Sequence, residues 1–70
     1  MVHKIGDLIK WYETYADPDI VKDAGIGIVL NLQNKMYNSN KYTTYTVYRN
    51  KTNDIMNFHE KDLTTIIEGE

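Results

Sequence analysis

One stretch limits the fold more than any other. Gly25–Leu32 reads Gly-Ile-Gly-Ile-Val-Leu-Asn-Leu. Its apolar residues recur at the period of two that a strand requires. Ile26, Ile28, Leu30 and Leu32 fall on one face, and Gly25, Gly27, Val29 and Asn31 on the other. Branched side chains on one side with glycine opposite let another segment pass close over the backbone. The stretch is read as the second strand of a small β-barrel.

The chain around it is punctuated at strand spacing. Gly6-Asp7 is a turn signal, and Leu8–Glu13 follows it with strand-forming residues. Ile5, Leu8, Ile9 and Tyr12 also fit a helical stripe. The strand is preferred, because Trp11 and the tyrosines favour it and no helix cap is evident. Tyr15–Ala24 reads as a loop broken by Asp17-Pro18-Asp19, with Ile20 and Val21 tacking it to the barrel end. Gln33–Lys41 reads as a polar turn. Tyr42–Asn50, almost wholly Tyr, Thr and Val, is the third strand. Lys51–Asp54 is a tight turn, Ile55–His59 a short fourth strand, Glu60–Leu63 one helical or 3₁₀ turn, and Thr64–Glu68 the fifth strand.

Size and charge narrow the function. Seventy residues make a single domain, 1–70, and a chain this short buries only about 60% of its unfolded surface. Such scaffolds need a staple, and with no cysteine neither disulfides nor thiolate metal sites can supply it. Unusually good packing or assembly with a partner remains, and assembly is preferred. The net charge is −2, with one arginine and no basic cluster, so the positive stripe of a nucleic-acid binder is missing. No apolar run reaches the roughly 18–20 residues of a membrane span, and Met1–Ile5 carries no signal-peptide pattern. The expectation is a soluble protein, with no membrane partner. The abundance of Asn, Ile, Tyr, Lys and Asp, whose codons are AT-rich, hints at a low-GC viral or bacterial genome.

Four stretches of the pattern carry a resemblance. Ile5-Gly6-Asp7-Leu8-Ile9 opens the chain, Gly25-Ile26-Gly27-Ile28-Val29-Leu30 stands second, Tyr45-Thr46-Val47-Tyr48 third, and Glu60-Lys61-Asp62-Leu63 precedes a final isoleucine pair. Nearly the whole chain thereby resembles the small single-domain SH3-like barrel proteins of tailed bacteriophages, including marine phages. It departs from their pattern at Arg49, where tryptophan is common. The resemblance implies an all-β, small five-stranded SH3-like barrel with a one-turn helix before the last strand, in a phage setting. It implies no reaction, and the fold alone does not choose among peptide-binding, RNA-holding and structural modules.

The chemistry-bearing residues are few. His59-Glu60-Lys61-Asp62 lacks the second histidine of a zinc-protease helix, since position 63 is Leu. Asp17, Asp19 and Asp23 lack the ligand and glycine of a calcium loop at Val21 and Lys22. Gly25-Ile26-Gly27 lacks the third glycine and the Lys-Ser/Thr pair of a phosphate loop. Asn50-Lys51-Thr52 is a glycosylation sequon by pattern only. The one serine, Ser39, stands among asparagines, and no carboxylate pair has an acid–base setting. No catalytic residue, cofactor or metal is expected, and the protein is not read as an enzyme.

The aromatics are the informative surplus, because a core this small cannot take all eight beside its Ile, Leu and Val. Trp11, Tyr12, Tyr45, Tyr48 and Phe58 form the candidate protein-interaction surface, as Tyr and Trp are favoured at interfaces. The plainer alternative is tyrosines in cross-strand pairs on a solvated face. The leading expectation is a non-enzymatic phage structural or assembly protein, in the virion or the host cytoplasm. It would contact a protein partner or itself, as a homo-oligomer or in a virion assembly. The alternatives are a nucleic-acid- or transcription-associated module that stacks bases on tyrosines, and an inhibitor of a host protein.

Overall fold

Each run of β-branched and aromatic residues forms a strand, and each polar cluster between runs turns the chain. The computed structural model describes residues 3–17 and 19–69. It contains β1 (Leu8–Thr14), β2 (Val21–Tyr37), β3 (Asn40–Arg49), β4 (Asp54–His59), a 3₁₀ turn at Glu60–Asp62, and β5 (Leu63–Ile67). All pairings are antiparallel, in one sheet of order β4-β3-β2-β1-β5. This is the all-β, five-stranded architecture with a one-turn helix before the last strand that the sequence predicts. β4 and β5 are the two edges, and no ladder joins them among the described residues, so the sheet rolls without closing.

The inner face holds the core. Ile9 and Trp11 from β1, Val29 from β2, Tyr45 and Val47 from β3, Phe58 from β4 and Leu63 from β5 are buried together. Trp11 and Phe58 stack with ring centroids 5.9 Å apart, although two strands separate β1 from β4 in the sheet order. That contact measures how far the sheet has rolled. The glycine face of β2 turns inward, and it permits two close approaches: the Tyr48 backbone carbonyl over Gly27 and the Trp11 side chain over Gly25. Trp11 lies directly across from Gly25, where an added Cβ would sit 2.6 Å from Trp11 Cζ2. The indole nitrogen donates to the Ile26 carbonyl at 3.3 Å.

Two elements differ from the sequence reading. β2 runs unbroken through the segment read as a polar turn, and only Asn38 and Ser39 turn the chain. Both have positive φ, 48° and 68°, the requirement of a type I′ hairpin. β2 beyond Val29 pairs with β3 alone among the described residues, making a two-stranded arm tipped by exposed Met36 and Tyr37. The first loop is also shorter than predicted, because β2 starts at Val21, and Ile20 and Val21 are about half exposed instead of tacked to the core. Pro18, read as that loop's breaker, lies outside the described residues.

A buried carboxylate ties the ends of the sheet together. Asp7 accepts from the Lys4 amide through Oδ2 at 2.9 Å and from the Gly69 amide through Oδ1 at 2.6 Å. Its own carbonyl accepts from Val29 N at 3.1 Å. The segments before β1 and after β5 are thereby fixed to the central strand. Beside it, buried His3 bonds Thr65 Oγ1 through Nδ1 at 2.8 Å and meets the Tyr45 ring edge-on.

Candidate functional site

Strand alternation sends every second residue of this sheet outward, and here many of those residues are aliphatic. Leu8 is paired with Ile67 on one side and Ile28 on the other. Ile28 is paired in turn with Tyr48, and Tyr48 with Ile55. One row, Ile67–Leu8–Ile28–Tyr48–Ile55, therefore crosses all five strands on the outer face. Four inter-strand steps make it about 19 Å long. Ile26 and Leu30 flank Ile28 along β2, and both are exposed, at 48% and 44%.

The row has polar borders. On one side the Thr46 hydroxyl bonds Asn57 Oδ1 at 2.8 Å. On the other, Lys10 lies over the Tyr12 ring, 5.4 Å from its centroid. The Tyr48 hydroxyl donates to Asn53 Oδ1 at 2.9 Å. An antiparallel sheet with one solvated face shows polar residues outside. This sheet is apolar on both faces.

The structure corrects the interaction surface read from the aromatics. Trp11 and Tyr45 are wholly inaccessible and Phe58 is 5% exposed, because strand parity turns all three into the core. They hold the fold and present nothing to a partner. Tyr12 and Tyr48 do lie on the outer face, half-buried among their neighbours. The residues missed by sequence reasoning are Ile26, Ile28, Leu30, Ile55 and Ile67. Their signal was present in the consecutive apolar pairs Leu8-Ile9 and Ile28-Val29, which place apolar groups on both faces at once. The expected alignment of Leu32 with Ile26, Ile28 and Leu30 is broken by a bulge between Val29 and Asn31, and Leu32 packs against the core instead.

Arg49, the departure from the phage pattern, points inward and closes one end of the core. Its guanidinium lies 5.0 Å from the Trp11 ring centroid. Nε donates to Asp54 Oδ1 at 2.7 Å, and the Asp54 carboxylate receives Nη2 as well. Glu13 lies 3.7 Å from Nη1. The hydrogen bonds from Arg49 hold the Asp54 carboxyl down at about 2, and the Thr52 hydroxyl assists. The same pairing raises the Arg49 pKa. Lys51 similarly lowers Asp23. The Asp7 carboxyl is lowered too, chiefly by the Gly69 amide and against the opposing effect of burial. These shifts belong to structural contacts.

Elsewhere, an open concavity of about 450 Å³ lies between the β2–β3 arm and Glu60, lined by Lys35, Met36, Lys41 and Tyr42. Tyr42 tilts against His59 there, 5.9 Å between centroids. Among the described residues no three His, Cys, Asp or Glu side chains converge as metal ligands, and no helix is long and apolar enough to cross a membrane. Comparison with known proteins finds no matching family model, curated protein or solved structure.

Proposed function

We propose that this chain is a non-enzymatic protein–protein module, a structural or assembly component of a bacteriophage, working in the virion or the host cytoplasm. The observation that carries the docking role is the row Ile67–Leu8–Ile28–Tyr48–Ile55 on the outer face. A contiguous apolar patch with a polar border is the mark of a surface that another macromolecule covers. Its chemistry favours protein over nucleic acid. Aliphatic side chains give no stacking platform for bases, and the neighbouring cation, Lys10, is drawn onto Tyr12. The phage setting is supported by the sequence resemblance.

The docking role is tested by placing a photo-crosslinking amino acid at Tyr48 on the outer face, and separately at Tyr37 on the arm tip, in cells producing the chain. Adducts to protein at Tyr48 and few at Tyr37 are the expected result. Adducts to nucleic acid, or equal yields at the two positions, would count against it.

A further inference from the structure

We infer that the outer face is covered by a second copy of this chain, so that the protein is a two-fold dimer of sheets packed face to face. The inference rests on the protein–protein reading above and names its partner. Three observations lead to it.

The area is of the right size. Ile26, Ile28, Leu30, Ile55 and Ile67 are 44–62% exposed. At about 100 Å² each they leave on the order of 500 Å² of aliphatic surface in one patch, which is large for a monomer. Leu8 and Tyr48 extend it towards the roughly 800 Å² per partner of a standard interface, to which the polar rim adds. The whole chain exposes 5018 Å². A compact monomer of 8.2 kDa exposes about 4,500 Å².

The face is also self-complementary. A two-fold axis must map the patch onto itself. The row is aliphatic at both ends and centred on Ile28 in the central strand, so rotation about that point lays apolar residues on apolar residues. No donor or charge inside the row needs a matching group on a different protein. The Thr46–Asn57 and Lys10–Tyr12 borders are already internally paired.

The shape fits as well. The molecule measures 35 × 33 × 19 Å, a slab that presents a broad face. Two copies meeting outer face to outer face bring their sheets about 10 Å apart where the central strands β2 face each other. Among the described residues the buried core of a single copy is seven hydrophobic residues. A second apolar layer between copies supplies the staple that a 70-residue, cysteine-free chain lacks.

The test is the solution mass across a dilution series for the wild-type chain, Ile28→Lys and Ile55→Lys, with circular dichroism as the check on folding. The wild type is expected at twice 8.2 kDa, dissociating on dilution. Either lysine variant is expected at the monomer mass with an unchanged spectrum, its dimer weakened at least about 100-fold by the buried charge. Ile55→Lys is the decisive variant should Ile28→Lys unfold, because Ile55 is on an edge strand and 62% exposed. A wild type that stays monomeric up to millimolar concentration overturns the dimer. So does a dimer that persists in both variants. Neither result bears on crosslinking at Tyr48 to a different protein, so the dimer can fail while the docking role stands.

Discussion

At Gly25 a single hydrogen separates a fitted core from an overpacked one. A methyl group there would overlap the Trp11 indole, which is itself wedged against Phe58 and beneath Arg49. Gly25→Ala is expected to lower the unfolding free energy by about 1–3 kcal/mol with the denaturant slope unchanged, measured by urea titration. Asp7 is the other decisive residue. Its folded pKa is depressed below the ordinary 3.8, so the stability it contributes is full above pH 4. That stability is lost as the pH falls through the folded value. Asp54, held at about 2, adds to the same acid limb. Asp7→Asn is expected to cost about 1–3 kcal/mol at neutral pH, because its amide cannot accept from both Lys4 and Gly69. It should also flatten the decline below pH 4, followed by thermal unfolding as the pH is lowered. The Gly6-Asp7 turn was legible in the sequence. The role of Asp7 in binding residue 69 was not, because it depends on a contact 62 positions away.

At the scale of elements, the strands were legible where hydrophobic period and turn chemistry agreed. Tyr42–Asn50 and Ile55–His59 lie within a residue or two of the observed β3 and β4, because Thr, Tyr and Val admit little else and Lys51–Asn53 turns the chain. The arm was illegible for the opposite reason. Gln33, Asn34 and Lys35 carry no apolar period, since both faces of a two-stranded ribbon meet water, and the ladder to Tyr42–Thr44 holds them, with the Thr43 hydroxyl donating to Asn34 Oδ1. Its turn offers a direct check. Ser39 holds φ 68°, a conformation that glycine adopts without strain. Ser39→Gly, giving the preferred Asn-Gly pair of a type I′ turn, is expected to stabilise the chain by about 0.5–1 kcal/mol in thermal unfolding. A loss of stability would show that the arm is not held by this hairpin. The outer face was half legible. Tyrosine surplus pointed to an interface, but aromatic content alone does not say which side of a strand faces in. The bulge at Leu30 then reversed the parity of β2 for Leu32.

At the scale of the whole molecule there is one asymmetry: the sheet is covered on its inner face and bare on its outer one, although both are apolar. The inner face closes on Trp11, Tyr45 and Phe58, and the outer one presents Ile28, Ile55 and Ile67 to whatever binds. Carbene footprinting of the chain at low and high concentration reads this directly, residue by residue. Labelling of Ile28, Ile55 and Ile67 is expected to fall as concentration rises. Met36 and Tyr37 on the arm should stay labelled, and Trp11 should be protected throughout. Outer-face labelling that is the same at every concentration, or protection that appears on the arm instead, would contradict it.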